Sequence, residues 1–292
     1  MNDHVCRKFL LVRNWFPDKL NNAGNYYFNG DNIFKEYCTS NSCDSDLEKL
    51  NAGCLFLFDV FFKDFSVFKN HNNIDIVYYI IIWLSYMLNL KKNVEGITNI
   101  QHFYGTSINS DNRYKTTITG IPGYDNYKDL IDKKTDLKNM DMNKNIISKL
   151  YDAFKLLCDM YTNFHESTLH CSNCFENAKN FAEKYKEMNQ NSDITSNDYY
   201  KQLLYTLSND YNNFKKYCNS KGGKCEEYPT LSTIEKIQSY RHISEDTSSS
   251  SSITNKLFIV LSIFGAIAFF FGISYKVNNK ELKKKLLYIC KH

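Results

Sequence analysis

The sequence predicts an all-α, disulfide-braced helical ectodomain followed by a single C-terminal transmembrane helix. Three observations carry that prediction. Apolar residues recur at spacings of three and four along most of the chain, nine of the ten cysteines precede the last apolar run, and that run, Leu257 to Tyr275, is nineteen residues long without a charge.

The helical elements follow in chain order as one-sided apolar stripes, which are core faces far more often than cofactor-binding surfaces. The first is Val5, Phe9, Val12 and Phe16, and the second Leu47, Leu50, Cys54, Phe58 and Phe61. Ile76 to Leu90 is apolar all round. At fifteen residues between Asp75 and Lys91 it has the length of a buried core helix rather than of a span, and a crossing there would divide the cysteines between two compartments. Further stripes are Leu150, Phe154, Leu157, Cys158, Tyr161 and His165, then Cys174, Ala178, Phe181, Ala182 and Tyr185, then Tyr200, Leu203, Leu204, Leu207, Tyr211, Phe214 and Cys218. The three prolines, Pro17, Pro122 and Pro229, fall between these segments, where a helix would end. Polar stretches rich in turn formers, Thr106 to Tyr124 and Asn189 to Asn197, are expected to be surface loops that change at little cost to folding. The serine run Ser248 to Ser252 cannot bury a core and reads as a flexible stalk. The expected organisation is an ectodomain over 1–243, a stalk over 244–256, a span over 257–275 and a short tail over 276–292.

Nineteen helical residues span about 28 Å, close to the ~30 Å hydrocarbon core of a bilayer. Behind the span, Lys276, Lys280, Lys283, Lys284, Lys285 and Lys291 face only Glu281. The net charge of +4 is therefore a property of the tail, since 30 basic and 31 acidic residues precede the span. A nucleic-acid-binding face is not expected, because it would need a basic patch on the folded domain. A basic tail belongs on the cytoplasmic side against anionic headgroups, which puts the N-terminal part outside. Nine cysteines on that side, Cys6, Cys38, Cys43, Cys54, Cys158, Cys171, Cys174, Cys218 and Cys225, fit an oxidising compartment. An odd count leaves one thiol free or paired between molecules, and spacing alone cannot choose the pairs. Residues 1 to 20 offer only Phe9 to Val12 as an apolar run, too short for a signal peptide, so the span is expected to act as the targeting signal. Among 35 asparagines none begins an N-x-Ser/Thr sequon, so no N-linked glycan is expected.

Chemistry-bearing motifs are scarce, and no catalytic residue, cofactor site or metal site is assigned. There is no phosphate-binding glycine pattern and no nucleophile elbow. His165-Glu166-Ser167-Thr168-Leu169-His170 is one residue longer than the H-E-x-x-H of zinc proteases. On a helix, positions i and i+5 diverge by roughly 140°, so the two imidazoles would not reach one ion. Cys171-Ser172-Asn173-Cys174 could serve redox or metal chemistry, but without a preceding strand or a matching second pair the disulfide reading is favoured. Cys290 stands third from the C-terminus, so it is not a prenylation box and is a candidate for palmitoylation beside the membrane. Leu282, Leu286, Leu287 and Ile289 would let the tail lie on the bilayer surface.

Four segments carry a resemblance. Asn51-Ala-Gly-Cys54-Leu-Phe-Leu-Phe58, Tyr79 to Leu90 with its WLSYMLNL stretch, Tyr127 to Lys134 and Ile147 to Lys155 are similar to the Plasmodium interspersed repeat (PIR) family, and most of all to its rodent-parasite CIR, YIR and BIR members. The resemblance implies a multigene variant surface antigen of malaria parasites, exported without a standard signal, placed at the surface of the infected red cell or of the parasite, and associated with antigenic variation and immune evasion. Its partners would be a membrane crossed once and host immune receptors or antibodies. It supplies no catalytic residues. The tail, VNNKELKKKLLYICKH, is shorter and less basic than the family pattern. Two other classes of function are an adhesin for a host-cell ligand, suggested by 21 Phe and 22 Tyr, and a membrane scaffold or trafficking component working through its tail.

Overall fold

Asparagine begins many of the helices. In the computed structural model, which describes residues 1–30, 33–92, 99–137, 143–165 and 167–232, the side chains of Asn2, Asn126, Asn143, Asn191 and Asn197 each accept a backbone N–H of the first helical turn. The helices in chain order are α1 (Asp3–Trp15), α2 (Asp46–Phe62), α3 (Phe65–Phe68), α4 (Ile76–Leu88), α5 (Asn99–Phe103), α6 (Tyr127–Lys134), α7 (Lys144–Asn163), α8 (Cys174–Asn189), α9 (Ser192–Thr195) and α10 (Asp198–Ser220). At α2 Ser45 and Glu48 form a reciprocal capping box. The chain divides into two units, Met1–Gln238 and Ser239–His292, and the described residues all belong to the first. The serine run expected to form a stalk, the run 257–275, the tail lysines Lys276 to Lys291 and Cys290 lie outside the described residues.

The periodic stripes meet around α7, which packs against α1, α4, α8 and α10, while α2 covers the other side of α4. Helix α4 is buried almost all round, from Ile76 through Leu88. This is what an all-apolar helix requires, and it places the second apolar run in the core. Among the described residues no helix is long and apolar enough to cross a membrane. Trp83 of α4 is fully buried against Phe16, with ring centroids 6.0 Å apart. Gly53 of α2 makes this contact possible, because a Cβ there would lie 2.7 Å from Cη2 of Trp83 and 3.0 Å from Cδ1 of Phe16. One charge is buried with the aromatics. The carboxylate of Asp210 on α10 accepts the Tyr79 hydroxyl at 2.8 Å and pairs with the Met1 ammonium at 2.8 Å, tying α10 to α4 and to the residues that lead into α1.

Several expectations need correction. The stripe ending at His165 leaves the helix after Asn163, and a pair of two-residue strands, β1 (Phe164–His165) and β2 (His170–Cys171), interrupts the all-α pattern. Two residues per strand are too few for alternation to show in sequence. Asn189 to Asn197 is not only loop, since it contains α9 and buries Ile194.

Candidate functional site

The hairpin of β1 and β2 gathers the residues that sequence singled out for chemistry. Pairing is antiparallel, with Phe164 opposite Cys171 and His165 opposite His170. Phe164 is buried and Cys171 half-buried, so they take the inward face, and both histidines are exposed on the outward one. This overturns the helical geometry assumed for the H-E-x-x-x-H stretch and supplies a strand before the C-x-x-C where none was expected. At the tip, Leu169 adopts φ 52°, a left-handed conformation that costs a non-glycine residue about 1–3 kcal/mol and is held by the structure on either side. Its side chain is 47% exposed.

Disulfides brace this end of the unit. Cys171 and Cys174 join the hairpin to the start of α8 with Cα atoms 5.4 Å apart, and Cys218 and Cys225 close the end of α10 at 6.0 Å. Gly223 is needed there, since a Cβ on it would approach Cys218 Sγ to 2.5 Å. Elsewhere Cys6 and Cys158 link α1 to α7 at 4.9 Å, and Cys38 pairs with Cys43 at 5.0 Å. All four separations suit the bond. Cys54, counted among the disulfide candidates, is the odd thiol, fully buried in α2 without a bridge. Its burial leaves no face for a bond to a second molecule. Burial pushes the thiol up to about 12, against a smaller lowering by the Tyr114 hydroxyl. Because the thiolate is the nucleophile, Cys54 is expected to resist iodoacetamide in the folded chain and to take one adduct on denaturation without reductant. Peptide mapping of the alkylated chain, which separates Cys54 from Cys290, checks this, and a native-state adduct at Cys54 contradicts it.

From Cys225 the chain runs back along α8. The Tyr228 ring meets Phe175 at 5.8 Å, Tyr211 donates to the Pro229 carbonyl at 2.9 Å, and the hydroxyl of Tyr185 donates to the carbonyl of Ser232 at 3.1 Å. Phe175 and Asn189, which donates to Ser232 Oγ, are separated by about 21 Å of helix. The hairpin and the last described residue therefore lie at opposite ends of α8. Phe175, at the hairpin end, is 54% exposed, and with Leu169 it offers apolar surface that nothing in the stripe pattern marks.

The stretch Thr106 to Tyr124 behaves otherwise than expected. It is wound into a π-helical turn (Tyr104–Ile108) and a 3-10 turn (Asn112–Lys115), and Ile108, Tyr114, Ile118 and Ile121 are buried. The Tyr114 hydroxyl donates to Asn51 Oδ1 at 2.9 Å, Asn51 donates to Asp111 at 2.9 Å, and Arg113 forks onto Asp111 while also reaching the Tyr37 carbonyl. Burial raises the Asp111 carboxyl, but hydrogen bonds from Arg113 and Asn51 outweigh it and hold the group below its ordinary value. The segment is clamped to α2 and is free to vary only at its exposed positions, Thr116, Thr117 and Thr119 among them.

A cleft of about 300 Å³ lies beside the N-terminus, lined by Asp3, His4, Tyr161 and Tyr217 among others. Burial, with Lys8 adding to it, lowers His4. No group of three His, Cys, Asp or Glu residues able to hold a metal ion occurs among the described residues.

Known proteins resemble this architecture. The structure of a Plasmodium PIR protein ectodomain matches with a TM-score of 0.57 and 28% identity, covering 81% of this chain and 98% of that one. No curated protein matches. The family model described as Plasmodium variant antigen protein Cir/Yir/Bir matches residues 6–276, which takes in the helical unit and the uncharged run beyond it. That description is of a variant antigen family. On a match over nearly its whole length, the chain belongs to the Cir/Yir/Bir family of Plasmodium variant antigen proteins.

Proposed function

We propose that the chain is a variant surface antigen, held by a single span at 257–275 with its helical unit outside and displayed on the infected host cell or the parasite, where it serves antigenic variation and immune evasion. Family membership over residues 6–276 carries this reading. Four disulfides among the described residues fit an oxidising compartment. They also fit a scaffold that holds its shape while exposed positions change. The basic tail after residue 275 fits the cytoplasmic side. The hairpin end is the better candidate for display than Thr106 to Tyr124, whose buried residues constrain it. The test is staining of intact infected erythrocytes with antibodies raised against the folded hairpin end, residues 164–175, followed by protease shaving. Signal lost on shaving is expected on these cells or on intact released parasites, and signal only after both membranes are permeabilised would overturn the reading.

A second reading, an adhesin, draws on the exposed Leu169 and Phe175. Aromatic residues, Phe among them, are enriched in protein interfaces. Saturable binding of one host protein, lost in Phe175→Ala, would favour it over a role in variation alone.

A further inference from the structure

The geometry points to a two-histidine binding site for a divalent transition metal on the outward face of the hairpin, formed by His165 and His170. The two residues are direct cross-strand partners. Directly opposed residues of an antiparallel pair carry Cβ atoms about 4.5–5.5 Å apart on one face of the ladder, close enough for two imidazoles to converge on a single ion. The inward face is occupied by Phe164 and Cys171, so both histidines point to solvent, where an ion can enter without opening the fold.

The pair is also held in place before any ion arrives. Phe164 is buried in the helical unit, and the Cys171–Cys174 disulfide anchors the second strand to α8. The His170 ring already has one partner, with Nε2 3.2 Å from Ser172 Oγ. That contact engages Nε2 and leaves Nδ1 available to an ion, in the way an outer hydrogen bond selects the ligating nitrogen of a metal-bound histidine. Two imidazole ligands with no thiolate suit Zn²⁺, Cu²⁺ or Ni²⁺ and not Mg²⁺ or Ca²⁺, which take oxygen ligands. Water would complete the coordination. A bound ion would cross-link the two strands at the base of the Leu169 turn and so stiffen the exposed tip.

Ni²⁺ titration of the full chain in detergent, without reductant and followed by calorimetry, tests this. One saturable site per chain is expected. Loss of either ligand turns a chelate into a single contact, so His165→Ala and His170→Ala should each weaken binding about a hundredfold, the lower end of what linking two ligands contributes. His102→Ala, which removes another exposed histidine, should leave binding unchanged. With Cu²⁺ the wild-type spectrum in electron paramagnetic resonance should show two equatorial imidazole nitrogens from this site, reduced to one in either variant. Binding by both variants equal to wild type, or no saturable site at all, would overturn the proposal. Both histidines are exposed, and unchanged circular dichroism melting of the metal-free variants establishes that any loss is of the site and not of the fold.

Discussion

Replacing Cys6 and Cys158 together with alanine is expected to cost about 5 kcal/mol of stability, on the chain-entropy account of cross-links. The two residues are 152 positions apart, so their bond closes most of the helical unit into one loop and strongly restricts the unfolded chain. The Cys38–Cys43 bond closes a loop of only 5, for which the same account gives about 2 kcal/mol. Replacing both partners avoids leaving a reactive thiol behind. Denaturant unfolding of the two double variants without reductant measures the contrast, which should be about 3 kcal/mol. Equal losses in the two variants would mean that bond strength and packing at each site decide the matter, and that loop length does not. The reason to expect otherwise is positional: Cys6 and Cys158 join the first helix to the central one, so their separation in sequence is large while their Cα atoms stand 4.9 Å apart.

Trp83→Ala is expected to destabilise by about 3–5 kcal/mol, the range for deleting a large buried aromatic side chain. The indole is fully buried where α4 crosses α2, with Phe16 of the first segment against its ring, so the space cannot be refilled from solvent. Gly53→Ala attacks the same contact from the other side. Alanine is the better helix former by about 1 kcal/mol, yet its Cβ would stand 2.7 Å from the indole, and overpacking of this kind costs about 1–3 kcal/mol. A net loss is expected because the neighbours are rings without a flexible end to move aside. In the double variant the methyl group enters the space that the indole vacated, so the two effects should fall short of their sum. Equilibrium unfolding of the two single variants and the double variant gives the coupling. Strict additivity would show that Gly53 and Trp83 do not share one packing site.

The two segments most specific to the family, Asn51 to Phe58 and Tyr79 to Leu90, meet at that contact. Their residue types were legible in sequence; their meeting was not. Gly53 interrupts a helical stripe, and nothing in the stripe says whether a glycine there is a flaw or a notch for a partner 30 positions away. The stripes themselves were reliable, since burial of one face is a local requirement that each helix writes into its own spacing. Val5, Phe9, Val12 and Phe16 are buried as their spacing requires, and so are Tyr200 through Cys218 on the face of α10.

Thr106 to Tyr124 shows where composition misleads. Its polar residues and turn formers describe its backbone correctly, but Asp111, Arg113 and Tyr114 are polar because they bond to Asn51 and Tyr37, far away in sequence. Polarity at a contact and polarity toward water look alike in a one-dimensional reading.

Sequence by itself determined the helical class, the core face of each long helix, the burial of the second apolar run and the family to which the chain belongs. Each rests on a local period, a run length or a quoted motif. Tertiary structure decided which cysteines pair and that Cys54 is the one left over. It decided that Thr106 to Tyr124 is clamped, and that His165 and His170 face each other across a hairpin and do not diverge along a helix. Those outcomes depend on which residues distant in sequence become neighbours, and in the hairpin on strands of two residues, too short to leave a period.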